Sequence, residues 1–173
     1  MMDLYPNLKE ALLKIVGKDV EVFESKGSYW AVLEDVTKLR EIAKWIKAIP
    51  GRCVTISPLM RDEIKELIYI FDFYEGPTFN LKVRFKNGEE IDSISDILKS
   101  AYFTELELAE TWAVPYRNLP QIRWGRWILE DTIEKGVLYA GLSETLSPET
   151  ETKMWQKIRE NIKINEEKGE TNG

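Results

Sequence analysis

The chain has 173 residues, of which 43 % are apolar, and this indicates one globular domain with extensions. Its 30 acidic residues outnumber 24 basic ones and give a net charge of -6, which argues against nucleic-acid binding because that requires a basic face. With no histidine and one cysteine, Cys53, the chain lacks an internal disulfide, His-dependent catalysis and the usual zinc, haem and copper ligand sets.

The sequence shows no targeting or membrane-spanning pattern. Its first 20 residues lack a continuous apolar run, and no stretch approaches the roughly 18 uninterrupted apolar residues of a membrane span. We therefore expect a soluble, intracellular protein. Charged residues make up 31 % of the chain and glutamine occurs twice, a balance typical of proteins from hyperthermophiles.

The first fifty residues predict elements in the order α-β-β-α. Two stretches have apolar residues at helical spacing, and between them lie two short β-prone runs separated by a turn containing Gly27. The predicted elements are a helix over about 5–16, strands over Asp19–Glu24 and Tyr29–Leu33, and a helix over about Asp35–Ala48.

Three further strands complete the predicted sheet. They span Cys53–Leu59, Ile64–Tyr74 and Thr78–Lys86, and in the last of them apolar and polar residues alternate as in an antiparallel strand with one wet face. A helix is predicted to begin near Ser93 or Ser95. The fold class is therefore α+β, in the order α-β-β-α-β-β-β, with helices packed on a mixed or antiparallel sheet over residues 1–112.

Residues 113–173 are predicted to form a C-terminal extension. After Pro115, a segment rich in tryptophan and arginine shows neither helical nor strand periodicity. Tyr, Trp and Arg are enriched where a loop is buried against another protein, although the segment could equally complete the core of its own domain.

The end of the extension predicts an amphipathic helix over about 151–165. Met154, Trp155, Ile158 and Ile162 form one apolar stripe on it. Because isolated apolar anchors on an extension typically bind another chain, we expect residues 113–173 to wrap partner subunits.

Two groups of charged residues are candidates for chemistry. Glu105, Glu107 and Glu110 lie within two helical turns, and paired carboxylates can act as general acid and base, but a solvated helix face or salt-bridged anchor points is the favoured interpretation. Three arginines could clamp an anion, but their tryptophan neighbours favour pairing with a partner's carboxylates. These arginines are Arg117, Arg123 and Arg126.

Several stretches in this order resemble the hydrophilic C subunit (30 kDa type) of respiratory NADH dehydrogenase, complex I, and the related subunit of energy-converting membrane-bound [NiFe] hydrogenases. The stretches are GRCVTISPL, LIYIFDF, FNLKVRF, SISDILKSAYF and ELELAETWAV, and the resemblance covers about residues 1–125. Its most specific part is the family's Glu-Arg-Glu helix, which is followed by a carboxylate, two bulky apolar residues, a basic or His position and an arginine.

The motif is carried over position by position. Glu105, Glu107, Glu110, Trp112 and Arg123 match it. Three positions depart from it: Leu106 stands in place of arginine, Thr111 in place of a large apolar residue, and Leu119 in place of His or Lys. These departures, with the hyperthermophile-like composition, favour the divergent form found in archaeal ferredoxin-linked hydrogenases.

The resemblance implies a scaffold subunit that holds no cofactor and is not catalytic alone. It would dock on a large [NiFe]-type catalytic subunit and a small Fe–S subunit, on the cytoplasmic side of the membrane, in a complex that evolves hydrogen from reduced ferredoxin and translocates ions. The related sulfur-reducing complex and NADH:quinone oxidoreductase are the alternatives. The candidate partner-binding residues are Glu107, Glu110, Trp112, Arg117, Arg123, Trp124, Arg126, Trp127 and Trp155.

Two other functions stay open from the residues alone. One is a small stand-alone enzyme that uses Glu107 and Glu110, which requires both carboxylates in one closed pocket. The other is an adaptor for a soluble partner without any link to electron transfer.

Overall fold

The structure, a computed structural model, describes residues 4–18, 20–60, 65–74, 76–122, 125–129 and 135–136. Its helices are α1 (Leu4–Val16), α2 (Leu39–Ala48) and α3 (Tyr102–Thr111), with short 3-10 helices at Val36–Lys38 and Lys99–Ala101. Its strands are β1 (Val22–Ser25), β2 (Ser28–Leu33), β3 (Gly51–Met60), β4 (Lys65–Phe73), β5 (Phe79–Phe85), β6 (Ile91–Asp92) and β7 (Tyr116–Arg117).

Five of the strands form one mixed sheet in the order β1-β2-β5-β4-β3. The β1–β2, β3–β4 and β4–β5 pairs are antiparallel, whereas β2 and β5 are parallel. A parallel pair needs a long crossover, which here contains α2, β3 and β4. The predicted α+β class and element order are therefore confirmed.

The core lies between one face of this sheet and the helices. In β4 and β5 alternate residues point to this face, as strand geometry requires, and α1 and α2 supply apolar residues at helical spacing. Its largest fully buried side chains are Leu8, Leu12, Leu39, Ile42, Ile46, Leu33, Leu67, Tyr69, Phe71, Phe79, Leu81 and Ile91.

The predicted helix start near Ser93 or Ser95 is wrong. Residues 95–97 form a turn, and the α-helix begins only at Tyr102. The two serine side chains are hydrogen-bonded to each other, and Ser93 donates to Glu105 of α3 instead of capping a helix. Arg40 of α2 also fixes this turn through the Ser93 carbonyl and the Asp96 carboxylate.

The predicted domain boundary at residue 112 stays a prediction. Immediately after this boundary, the structure contains a short strand, β7, that pairs with β6. β7 pairs in parallel with β6, through Ile91 with Tyr116 and Asp92 with Arg117. Val114 is buried and Tyr116 packs against the core. The first residues after α3 are therefore joined to the folded domain by a two-stranded sheet.

Gly51, the first residue of β3, is expected to tolerate no side chain. A Cβ atom there would lie 2.6 Å from Ile46 Cγ2 and 2.8 Å from Phe73 Cε1. Because both neighbours are packed in the domain, Gly51→Ala should lower the free energy of unfolding by about 2 kcal/mol. Gly76→Ala is the control, since its nearest atom would be Phe73 Cβ at 3.6 Å. Equal urea midpoints for the two variants would contradict this packing.

Among the described residues, no helix is long and apolar enough to cross a lipid bilayer.

Candidate partner-binding site

Helix α3 carries the candidate site. One of its faces packs against the core, a second is covered by the segment that follows the helix, and a third is exposed. Leu108 and Glu105 are buried towards the core, with exposed fractions of 2 % and 0 %. Glu110 is also buried, under the segment that follows the helix, whereas Glu107 is exposed. Of the two favoured interpretations, a solvated face or salt-bridged anchor points, the solvated face is therefore wrong for Glu105 and Glu110.

The Glu110 carboxylate holds the backbone of residues 127–129. It accepts hydrogen bonds from the N–H groups of Trp127 at 2.5 Å, Ile128 at 2.8 Å and Leu129 at 3.0 Å. Burial by itself raises the pKa of Glu110, but these three N–H groups outweigh it and the net pKa lies below its ordinary value. The ionised carboxylate is thus the anchor of this part of the extension.

A second contact joins α3 to the extension. The Gly136 N–H donates to the Glu110 carbonyl oxygen at 2.7 Å. A Cβ atom on Gly136 would lie 2.9 Å from the Ala113 Cβ, and its φ of +81° also favours glycine. Glu110 therefore binds the extension through both its side chain and its main chain.

Trp127 and Ile128 of the anchored backbone and Tyr102 and Phe103 of α3 define an apolar surface, here called the aromatic patch. The Phe103 ring lies 4.7 Å from the Trp127 ring and 5.2 Å from the Tyr102 ring, measured between centroids. Phe103 is 55 % exposed, and Trp127 and Ile128 are each 48 % exposed. Neighbouring large apolar side chains that are exposed together mark interaction surfaces on proteins.

Glu105 is the centre of a buried polar network. Its carboxylate accepts from Ser93 Oγ at 2.5 Å and from the Ile94 N–H at 3.0 Å, and Ser93 Oγ lies 2.7 Å from Ser95 Oγ. Burial raises the pKa of Glu105 to about 7, although the hydrogen bonds from Ile94, Ser93 and Ser95 oppose the rise. The network fixes α3 against the 93–95 turn.

The arginines predicted to bind a partner do not form one cluster. Arg117 makes a two-point ion pair with Asp92, at 2.7 and 2.8 Å, and the Arg117 hydrogen bond lowers the pKa of Asp92. Arg126 and Lys135 instead line a pocket of about 440 Å³ between α3 and the chain that follows it. Arg123 lies outside the described residues, as do Trp124, Trp155 and the predicted helix 151–165.

The other predicted residues occupy distinct environments. Trp112 is partly buried and packs against the core. Glu110 lines the 440 Å³ pocket and Glu107 does not, so the pair required for a stand-alone glutamate enzyme is not brought together. Within the part of the chain that the structure describes, no cluster of three carboxylate or thiol side chains is placed to hold a metal ion.

Sequence reasoning missed Phe103 and Ile128. Phe103 precedes Glu107 by one helical turn, so an aromatic residue on the polar face of α3 was the available signal. Ile128 gave no such signal because its segment has no regular period.

The sequence matches no protein-family profile and no curated protein sequence. The fold is similar to that of a chain in the structure of the membrane-bound sulfane sulfur reductase (MBS), an archaeal respiratory membrane complex. The TM-score is 0.57 and the identity 17 %, over 75 % of this chain and 79 % of that chain. At this identity the likeness establishes a shared fold.

Proposed function

We propose that this protein is a structural subunit of a membrane-bound respiratory oxidoreductase complex, in which it binds other subunits and holds no cofactor itself. The observation that carries this proposal is the aromatic patch, which the Glu110 anchor holds at the surface of a fold shared with a subunit of such a complex. An apolar surface held in place before binding loses little conformational freedom on association.

The resemblance to the complex I C subunit supports a specific version of this proposal. In that version the complex is a ferredoxin-linked [NiFe] hydrogenase, and this chain lies peripherally on the cytoplasmic side of the membrane. Its partners are then the large catalytic subunit and the small Fe–S subunit. The nickel–iron centre and the Fe–S clusters belong to those partners.

The structural comparison favours a second candidate, a sulfur-reducing complex, because the similar chain comes from a sulfane sulfur reductase. Affinity purification of the tagged native chain from solubilised membranes, with metal analysis of the product, distinguishes the two. Nickel together with iron supports the hydrogenase version, and iron without nickel supports the sulfur- or quinone-reducing version. A chain recovered alone would overturn the proposal of a complex.

The aromatic patch is expected to carry much of the binding energy. Trp127→Ala and Phe103→Ala should each weaken recovery of the partner subunits by about tenfold, because a truncated aromatic anchor commonly costs 1–2 kcal/mol or more. Phe23→Ala is the matched control, since Phe23 is an aromatic side chain with 38 % exposure that stacks on Trp30, outside the patch. Wild-type recovery with both patch variants would exclude the patch as the partner-binding surface.

A further inference from the structure

An apolar groove of about 1000 Å³ lies between α1, α2 and the end of β4. Its apolar lining includes Ala11, Ile15, Trp45, Ile49, Phe73 and Tyr74. Charged lining residues are Glu10 and Lys14 on α1 and Glu41 on α2. The groove is therefore apolar, with a carboxylate on each of its two helical walls.

This arrangement fits an amphipathic helix better than a small molecule. Small-molecule sites place a few polar groups so that they converge on the ligand, whereas here Glu10, Lys14 and Glu41 are exposed on the two helices. An amphipathic helix places its apolar stripe in such a groove and its flanking polar residues against the walls.

The sequence contains a segment of matching chemistry. In the predicted helix 151–165, Ile158 and Ile162 lie at the centre of the apolar stripe, and Met154 and Trp155 lie at its two edges. At 3.6 residues per turn, Arg159 flanks the stripe on one side and Lys157 on the other. A stripe with a basic residue on each side is complementary to an apolar groove with a carboxylate on each wall.

We propose that this groove binds the chain's own segment 151–165, with its apolar stripe against the lining and its basic flanks facing Glu10 and Glu41. Gly136 is held at α3, and residues 137–150 can extend for about 45 Å, farther than a domain of this size is wide. Because the two sites are in one chain, the effective concentration of the segment is high.

The neighbouring lysines do not neutralise the two carboxylates of the groove. Glu41 pairs with Lys38 at 3.3 Å, but this is an exposed pair three residues apart and therefore weak. The lining residues include one basic side chain, Lys14, and two carboxylates, so their net charge is negative. The inference is independent of the proposed function, and it assigns Trp155 to an intramolecular contact instead of a partner contact.

Disulfide trapping in the full chain tests the proposal. Ile158→Cys, near the middle of the stripe, is combined with Ala48→Cys, which lies in the groove. The control combines Ile158→Cys with Lys47→Cys, an exposed position on the same helix that does not line the groove. Cys53 is kept, because it is buried and burial raises its pKa to about 12, so that it forms little thiolate.

We expect the intramolecular disulfide to form at least about tenfold faster with Ala48→Cys than with Lys47→Cys, at a rate independent of protein concentration. Equal rates for the two pairs, or no monomeric disulfide with either, would overturn the proposal. Covalent dimers whose yield rises with concentration would assign the groove to the segment of a second copy, and would overturn it as well.

Charge reversal provides a second, independent test. Glu10→Lys with Glu41→Lys should slow trapping at Ala48→Cys about threefold or more, and adding Lys157→Glu with Arg159→Glu should restore the rate. An unchanged rate in the first variant, in a chain that unfolds at the wild-type temperature, would overturn the predicted charge pairing.

Discussion

Glu105→Gln is expected to remove a pH dependence of stability that the wild-type protein shows between about pH 4.5 and pH 7. Burial raises the pKa of Glu105 from 4.5 to about 7, so in this range the folded protein binds a proton that the unfolded chain has released. The stability of the wild-type protein therefore falls as pH rises through this window, and it levels off above the folded-state pKa.

The titratable groups that interact electrostatically with Glu105 do not change charge in this window. The chain has no histidine, and burial raises the pKa of the one cysteine, Cys53, to about 12. The groups facing Glu105 are Tyr69 and Tyr116, whose pKa values burial raises well above their usual range, and Arg40, whose pKa the Asp96 hydrogen bond raises. None of these changes charge between pH 4.5 and pH 7.

The test is urea unfolding of both proteins at pH 4.5 and pH 8. Wild type should lose on the order of 3 kcal/mol relative to Glu105→Gln across this range, since each pH unit between the two pKa values corresponds to about 1.4 kcal/mol. A glutamine at position 105 can keep the hydrogen bonds to Ile94 and Ser93. Glu105→Ala removes their partner, and it should therefore lower the free energy of unfolding at both pH values. Parallel pH curves for wild type and Glu105→Gln would contradict this account.

Glu110→Ala is expected to release residues 127–129 from α3. The variant removes an ionised acceptor of three backbone hydrogen bonds, and bonds to charged groups each contribute about 1.5–3 kcal/mol. Local opening of this segment should therefore become easier by about 3 kcal/mol or more. Faster amide exchange at residues 127–129 and faster tryptic cleavage after Arg126 are the measurements.

Glu107→Ala is the matched control for this variant. Glu107 lies on the same helix but is exposed, and its substitution should leave exchange and cleavage at the wild-type rates. If Glu110→Ala also exchanged at the wild-type rate, the carboxylate would not be the anchor. Because the anchor holds Trp127 in the aromatic patch, Glu110→Ala should also reduce recovery of partner subunits, in the same direction as Trp127→Ala.

The sheet and the first two helices could be predicted because strands and helices each require apolar residues at a fixed spacing, and the sequence shows those spacings. Alternation in Phe79–Phe85 and helical spacing in Leu39–Ala48 each specify one buried face, and the structure places those faces in the core. The turn at 93–97 could not be predicted this way. Its conformation depends on Glu105 and Arg40, which are distant in sequence, and Ser93 and Ser95 have equally good local signals for a helix start.

The candidate site was only partly predictable for a related reason. A glutamate on a short helix is usually solvated, and its sequence neighbours do not indicate whether buried N–H groups will meet it. Glu110 is buried because residues 127–129 return to the helix, and Glu105 because the serine turn packs beneath it. Tryptophan and arginine content indicated the segment around Trp127, but it could not show that Arg117 pairs with Asp92 of its own domain.

The parallel pairing of β2 with β5 affects how the protein can fold during synthesis. β5 occupies the middle of the sheet, yet it is the last of the five strands in the chain. The hairpin of β1 and β2 therefore has no neighbour until the ribosome has produced Phe85, and until then the inner edge of β2 has unpaired backbone groups. Closing this long loop makes strand pairing slow, and the interval before closure is when the nascent chain is most exposed to aggregation.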